Sequence, residues 1–221
     1  MTGNAIDRGR LEAAELPPYP GIDLDRVTLV ENGASADAAR AALLAADAVG
    51  FDSESKPTFA KGEISTGPHL VQLATGDRVW LFRPQQAATL PALKAVLEAA
   101  EVKKIGFGLG NDRSALQSRF GIALANVLDL GEALRGPGHR GTVGAKMAVA
   151  HYFGQRLQKS KKTGTSNWAN ARLSEAQMRY AANDAHVAIR IYRIWNAGAG
   201  SAASSVRNSA TPPASATGEG K

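Results

Sequence analysis

A short apolar run ends in two carboxylates that are one residue apart. Asp52 and Glu54 close the segment 48–54, which reads AVGFDSE. Alternate side chains of a β-strand share a face, so these two carboxylates lie side by side while Phe51 and Ser53 point the other way. Like charges at that spacing raise each other's pKa, and a site that keeps both ionised needs cations. A divalent metal ion bound by oxygen ligands meets this need, and a solvated strand end beside a turn is the alternative.

Further candidate residues lie on predicted helices. Tyr180 and Asp184 are four residues apart near the end of the chain, which places both side chains on one helical face. Their neighbours are mostly apolar, so the helix is predicted to be buried and its carboxylate needs a partner; a local ion pair with an arginine is the alternative. Asp112 begins an earlier helix, after three closely spaced glycines, where capping alone would also favour aspartate.

The elements that must position these residues alternate between strands and helices. Periodicity and turn residues predict strands over 27–30, 48–54, 70–74, 78–82, 104–107 and 127–130. They predict helices over 35–46, 90–101, 111–120, 142–153 and 174–195, with Ser35 and Ser174 as N-terminal caps. The pattern indicates an α/β domain with a mixed central β-sheet flanked by helices.

Length and composition fit one globular domain with flanking segments. The chain has 221 residues, of which 44% are hydrophobic and 21% are charged. We expect an extended lead-in over 1–25, a folded domain over 26–196 and a disordered tail over 197–221. The sequence contains no recognisable signal peptide and no apolar run long enough to cross a bilayer, so we expect a cytoplasmic protein without membrane contact.

The charge balance and the lack of cysteine restrict the chemistry. The formal net charge is +6, which favours an anionic partner, and nucleic acid is the commonest of these. Because the chain has no cysteine, disulfides, thiolate metal ligands and a cysteine nucleophile are excluded. A metal site must therefore consist of oxygen or imidazole ligands.

A basic stretch precedes the helix that bears Tyr180 and Asp184. Residues 133–174 contain no acidic residue but include Arg135, Arg140, Lys146, Arg156, Lys159, Lys161, Lys162 and Arg172. The stretch predicts a phosphate-binding rim, in which we expect Lys159, Lys161 and Lys162 to contact nucleic acid; a solvated basic loop is the alternative. Trp168 could stack on a base or pack in the core.

The acidic positions and their surroundings together resemble a known set of motifs. The segment 51–59 reads FDSESKPTF, the segment 106–112 reads GFGLGND, and the segment 180–184 reads YAAND after TSNW at 165–168. These stretches resemble the three exonuclease motifs of the DEDD superfamily, in its tyrosine-bearing (DEDDy) branch. The similarity covers about residues 27–195 and is strongest to the ribonuclease D-like and Werner-type 3′–5′ exonuclease domains.

This resemblance implies a ribonuclease H-like fold and two-metal hydrolysis of phosphodiester bonds at single-stranded 3′ ends of DNA or RNA. By position in the motifs, Asp52 would bridge two Mg²⁺ or Mn²⁺ ions. Glu54 and Asp184 would complete the ligands of the first ion, and Asp112 would hold the second through water. Tyr180 would position the attacking water. The four carboxylates and the tyrosine would then form the catalytic site.

Two other functions are compatible with parts of the sequence. A dinucleotide-binding oxidoreductase would use the glycines of 106–110 with Asp129, but Asn111 stands where the third fingerprint glycine is expected. A non-catalytic nucleic-acid-binding domain on the same fold is the second alternative, and the complete set of acidic residues disfavours it. The motifs do not decide between DNA and RNA, and the oligomeric state is left open.

Overall fold

The strands and helices follow the predicted order, with two short α-helices and a 3-10 helix (Leu24–Arg26) in addition. A computed structural model of the protein describes residues 15–60, 62–136 and 141–208, without the side chains of 199–208. The strands are β1 (Val27–Val30), β2 (Ala48–Glu54), β3 (Leu70–Ala74), β4 (Val79–Phe82), β5 (Lys103–Gly106) and β6 (Val127–Asp129). The helices are α1 (Gly33–Leu44), α2 (Leu90–Glu98), α3 (Gly110–Phe120), α4 (Leu130–Ala133), α5 (Ala145–Phe153), α6 (Lys161–Gly164) and α7 (Glu175–Asn208).

All six strands form one mixed sheet in the order β1-β4-β3-β2-β5-β6. β3 is antiparallel to both of its neighbours, whereas β1 with β4, β2 with β5 and β5 with β6 are parallel. The hairpin of β3 and β4 lies beside β2 as predicted, with Asp52 directly opposite Gln72. Hydrogen bonding on both edges therefore fixes the position of the strand that carries Asp52 and Glu54.

Helices cover both faces of this sheet, and alternate residues of β2 point to opposite faces. Phe51 and Val49 are buried against α1, α2 and α3. Ala48 packs on the other face, against α5 and α7. Asp52 and Glu54 are even-numbered like Ala48, so they face α7. The α/β architecture with helices on both sides of a mixed sheet is confirmed.

Helix α7 begins with the predicted cap. The backbone N–H of Gln177 donates to Ser174 Oγ at 3.2 Å, and the N–H of Ser174 donates to Gln177 Oε1 at 3.0 Å. The helix continues past Trp195 to Asn208, into the segment for which the sequence predicts a disordered tail. Alanine, which recurs in that segment, has the highest helix propensity of the amino acids. The remaining tail residues, 209–221, lie outside the described part of the chain.

The lead-in also contacts the folded domain, through residues 17–22, here called the N-terminal strap. Tyr19 and Ile22 are buried, at 5% and 6% exposure. The N–H of Tyr19 donates to the carbonyl of Arg156 at 3.0 Å, and the N–H of Ile22 donates to Asn183 Oδ1 at 2.9 Å. The strap therefore connects the segment after α5 with helix α7, whereas residues 1–14 lie outside the described part.

Smaller differences from the predicted elements have local causes. Asn32 caps α1, and Ser35 completes a reciprocal capping box three residues later, so the helix begins before Ser35 and not at it. The four-residue helices α4 and α6 are too short to produce a periodic pattern. Arg140 of the basic stretch lies outside the described residues. Within the described residues, no helix has the length and apolar character needed to cross a bilayer.

Candidate active site

A glycine in β2 brings helix α7 close to the acidic strand. A Cβ atom at Gly50 would lie 1.9 Å from the carbonyl oxygen of Ala185, so any side chain here would push α7 away from the sheet. Ala185 follows Asp184, and Gly50 is two residues before Asp52 on the same face of β2. Backbone contact at Gly50 therefore sets the distance between the carboxylates of the two elements.

Three carboxylates meet where β2 and α7 approach each other. Asp52, Glu54 and Asp184 each offer one oxygen, and these oxygens lie within 4.8 Å of one another. Burial raises the pKa of Glu54 to about 9, and the charge of Asp52 adds to this effect. Burial also raises the pKa of Asp52 well above its ordinary range, with repulsion from Asp184 contributing. Burial raises the pKa of Asp184 to about 6, although Lys159 opposes the shift.

This donor set fits a divalent metal ion. Burial and mutual repulsion both disfavour the ionised carboxylates, so full ionisation of the cluster requires nearby positive charge. Oxygen ligands in this number suit Mg²⁺ and Mn²⁺ better than softer metals. The residues that the sequence predicts as ligands on β2 and α7 are thus brought together by the fold, and their assignment to particular ions stays a prediction.

Asp112 is placed beside this cluster and is not one of its three members. It lies in the first turn of α3 and accepts a hydrogen bond from the hydroxyl of Ser53. Ser53 lies between Asp52 and Glu54 in β2, so this bond ties the start of α3 to the acidic end of that strand. Burial raises the pKa of Asp112, and the Ser53 bond opposes the shift. The negative charge of Asp112 still contributes to the raised pKa of Asp52.

The turn before α3 is braced by Asp129. Its carboxylate accepts the backbone N–H groups of Gly108 at 3.1 Å and Leu109 at 3.0 Å, together with that of Gly131 at 2.8 Å. Gly108 has a φ of 73°, a conformation that favours glycine. Asp129 therefore supports the start of the helix that carries Asp112, which is a different role from the ribose contact that a dinucleotide fold would require.

Tyr180 lies one helical turn before Asp184, against α6. A Cβ atom at Gly164 would lie 2.7 Å from the Tyr180 hydroxyl oxygen, so a glycine is needed for this approach. Burial raises the pKa of Tyr180 to about 12, and the charge of Asp184 adds to the effect. The phenol is therefore protonated at neutral pH and can donate a hydrogen bond near the carboxylates.

Lys159 differs from the other lysines of the basic stretch because its ammonium group lies inside the site. Its Nζ is 2.7 Å from Asp184 Oδ2 and 5.3 Å from the centre of the Tyr180 ring. Burial would lower the pKa of Lys159, but the charge of Asp184 and its hydrogen bond raise it above the usual range. Lys161 and Lys162 are exposed on α6 instead.

Comparison with known proteins identifies the family to which the chain belongs. Residues 27–196 match a domain family described as 3′–5′ exonuclease. The chain belongs to this 3′–5′ exonuclease family. The DEDD-type exonuclease domain predicted from the motifs is thereby confirmed.

Two curated relatives of this exonuclease domain are much longer proteins. The mouse bifunctional 3′-5′ exonuclease/ATP-dependent helicase WRN is 32% identical over 152 residues, which cover 66% of this chain and 11% of the mouse protein. The exonuclease mut-7 homolog of Aedes aegypti is 32% identical over 169 residues, which cover 65% of this chain and 23% of the mosquito protein. The chain thus spans less than a quarter of either relative.

Solved structures of similar domains agree with the fold. The Nibbler EXO domain of Aedes aegypti superimposes with a TM-score of 0.67 at 27% identity, covering 82% of this chain and 92% of that one. Escherichia coli RNase D superimposes with a TM-score of 0.68 at 21% identity, covering 80% of this chain and 46% of that one, which supports the fold alone. The predicted ribonuclease H-like fold is confirmed.

One predicted nucleic-acid contact of the exonuclease domain is wrong. Trp168 is completely buried, and its ring N–H donates to the carbonyl of Gly164 at 3.1 Å. A buried indole offers no face to a base, so Trp168 is a core residue that packs near Tyr180, with the two ring centres 6.0 Å apart.

Some residues that shape the site were not identified from the sequence. Ser53 lies between the two predicted ligands of β2, and its bond to Asp112 depends on where α3 packs. Gly50 could have been suspected, because glycine weakens a strand unless another backbone comes close. Gln72, opposite Asp52 in β3, is fully buried. A glutamine within an otherwise apolar strand is uncommon, and the sequence LVQLA at 70–74 offered this signal.

The raised pKa of Glu54 predicts a pH dependence of stability. Between its ordinary value of 4.5 and its folded value of about 9, the folded protein holds a proton that the unfolded chain has lost. The free energy of unfolding contributed by Glu54 therefore falls as pH rises through this range. In EDTA, Glu54→Gln should flatten the decline of melting temperature between about pH 5 and pH 9, and exposed Glu31→Gln should not. An unaltered decline in Glu54→Gln would assign the titration to other groups.

Proposed function

We propose that this chain is a metal-dependent exonuclease that removes nucleotides from the 3′ end of single-stranded nucleic acid. The observation that carries the proposal is the meeting of half-buried Asp52 and Glu54 with buried Asp184, whose oxygens lie within 4.8 Å of one another. Such a cluster is costly unless a cation compensates it, so it favours a metal-binding role over a purely structural one. Family membership supports the same activity.

The proposed role of each residue is the one that the resemblance to the DEDD exonuclease motifs implies. Asp52 would contact both ions, Glu54 and Asp184 would hold one of them, and Asp112 would hold the other through water. When bound, two Mg²⁺ or Mn²⁺ ions would activate a water and stabilise the departing 3′ oxygen. The protonated hydroxyl of Tyr180 would orient the attacking water near Asp184.

The experiment that tests this function is degradation of end-labelled strands. Single-stranded DNA and RNA of matched sequence, labelled at the 5′ end, are incubated with the protein in Mg²⁺, in Mn²⁺ and in EDTA. We expect a ladder that shortens from the 3′ end in either metal and no change in EDTA. Comparison of the two substrates measures the preference for DNA or RNA. Binding of both strands without cleavage in any metal would instead support the non-catalytic nucleic-acid-binding domain.

The exposed lysines of α6 should contribute to substrate affinity more than to turnover. Lys161 and Lys162 are both exposed, close in sequence to Lys159 at the site. Each lysine that neutralises a phosphate of a single strand contributes about 0.7 to the slope of log affinity against log salt. Lys161→Ala with Lys162→Ala should therefore weaken binding and reduce that slope by about 1.4, with turnover at saturation largely retained. The measurement is fluorescence anisotropy across a salt series.

A matched control comes from the opposite face of the sheet. Arg40 is an exposed cation on α1, paired with Asp37 at 3.4 Å. Arg40→Ala should leave the salt slope unchanged, because α1 covers the face away from the carboxylates. If the double lysine variant kept the wild-type slope, these lysines would have no place in the interface.

A further inference from the structure

The ammonium group of Lys159 lies against Asp184, one of the proposed metal ligands, where a second cation is unexpected. Its Nζ lies 2.7 Å from Asp184 Oδ2, and its side chain is 27% exposed while that of Asp184 is 4% exposed. Asp184 is also one of the three carboxylates whose oxygens converge. The same carboxylate is thus engaged by an ammonium group and available as a metal ligand.

The ammonium group and a divalent ion would repel each other at this range. The ammonium charge also acts on the neighbouring carboxylates, because one oxygen each of Asp52, Glu54 and Asp184 lie within 4.8 Å of one another. Charge–charge interaction over a few ångströms in a partly buried site changes a binding constant by about tenfold or more. Lys159 therefore weakens the attraction of the whole cluster for a metal ion as long as it stays there.

The backbone on both sides of Lys159 is anchored, so rotation of its side chain is the simplest way to release Asp184. Arg156, three residues earlier, is hydrogen-bonded in both directions to the N-terminal strap, and Leu157 is buried. Ser160, the next residue, caps α6 by accepting the N–H of Thr163 at 3.3 Å. Rotation about the flexible lysine stem can release Asp184 without any change of fold, and the exposed part of the side chain gives it a path to solvent.

We propose that Lys159 competes with a divalent ion for Asp184, and that a phosphate of the incoming strand draws the lysine away so that metal and substrate bind cooperatively. This inference rests on the proposed exonuclease function. A phosphate oxygen is a stronger partner for the ammonium than water, and it arrives where the basic stretch borders the carboxylates. Metal affinity in the absence of substrate is then kept low by the protein itself.

Calorimetry with Mn²⁺ in the absence of nucleic acid tests the competition. Lys159→Met removes the charge and keeps the length of the stem, whereas Lys159→Arg keeps the charge. We expect Lys159→Met to bind Mn²⁺ about tenfold more tightly than the wild type, and Lys159→Arg to remain near the wild type. Arg40→Met, which removes an exposed cation on α1, serves as the control and should bind Mn²⁺ like the wild type. Equal or weaker binding by Lys159→Met would overturn the proposal.

A stability measurement shows whether Lys159→Met is folded. Removing one partner of a partly buried ion pair leaves the other uncompensated, so Lys159→Met should melt at a lower temperature in EDTA. Saturating Mn²⁺ should raise its melting temperature by more than it raises that of the wild type, because tighter binding stabilises more. Lys159→Gln provides a second uncharged variant, and both must show the larger metal-induced rise for the competition to hold.

The cooperative part is tested with a hydrolysis-resistant strand. The probe is a short oligothymidylate whose terminal linkage is a phosphorothioate. In the wild type, saturating probe should tighten Mn²⁺ binding, and Mn²⁺ should tighten probe binding by the same factor. In Lys159→Met this factor should be smaller, since no lysine has to be displaced. An equal factor in both proteins would overturn the proposed role of the phosphate.

The outcomes separate this inference from the proposed function. If the wild type and Lys159→Met bind Mn²⁺ equally and both shorten a labelled strand, the exonuclease function stands and the competition is wrong. If neither protein binds Mn²⁺ and neither cleaves, the proposed function fails and the inference fails with it. Tighter Mn²⁺ binding by Lys159→Met, together with a reduced coupling factor, supports the inference.

Discussion

Asp52→Asn should abolish divalent metal binding and nuclease activity together. Asp52 lies near the end of the inner strand β2 and is one of the three converging carboxylates, and in the proposed function it would contact both ions. An amide of the same shape cannot supply the negative charge that a hard cation requires. Since the ions provide several kcal/mol of transition-state stabilisation, we expect turnover to fall by about 10³-fold or more. Calorimetry with Mn²⁺ should show no binding to the high-affinity site.

The variant should still fold, and this makes the measurement interpretable. Burial disfavours the ionised form of Asp52, so its replacement by a neutral amide removes a cost in the metal-free protein. Its melting temperature in EDTA should equal or exceed that of the wild type. Asp37→Asn, which alters an exposed carboxylate of α1, should retain metal binding and turnover. Metal binding by Asp52→Asn with wild-type affinity would contradict the assigned site.

Tyr180→Phe should separate catalysis from metal binding. The hydroxyl is positioned against α6 and lies one turn before Asp184, but it is not one of the converging carboxylates. In the proposed function this hydroxyl would orient the attacking water, so its removal should lower the rate by about 10²–10⁴-fold. We expect the variant to fold, to bind Mn²⁺ and single-stranded substrate like the wild type, and to shorten a labelled strand correspondingly more slowly.

Tyr152 supplies the control for this comparison. Its hydroxyl is buried and has no hydrogen-bond partner among the described residues, so Tyr152→Phe removes the same atom from the same residue type. Turnover of Tyr152→Phe should stay close to the wild type. Wild-type turnover of Tyr180→Phe at saturating Mn²⁺ would show that its assigned role is wrong, even if the chain proves to be an exonuclease.

The parts of the site that were predictable depend on local geometry. Alternation along a strand places Asp52 and Glu54 on one face of β2. Helical spacing places Tyr180 and Asp184 on one face of α7. The cap at Ser174 is also a short-range feature, and the structure contains it. Each of these features follows from the conformation of a few consecutive residues. The exonuclease motifs consist of the same short segments.

The parts that were not predictable depend on contacts between distant segments. The pairing of Lys159 with Asp184 and the burial of Trp168 depend on the path of the chain between α5 and α7, where no periodic pattern exists. In the sequence, Lys159 is one of several basic residues in the stretch 133–174, and nothing there distinguishes it from the others. Only the packing of this irregular segment against α7 distinguishes it from Lys161 and Lys162, which stay exposed.

The N-terminal strap has a practical consequence for choosing where the domain begins. The family match starts at residue 27, so a chain shortened to that boundary would keep every aligned residue and discard the strap. It would uncover the apolar surface that Tyr19 and Ile22 occupy, and it would free Asn183, the residue before Asp184. It would also release Arg156 near Lys159. Sequence similarity thus marks a boundary inside the folded unit, and recombinant versions of this domain should begin before Pro17.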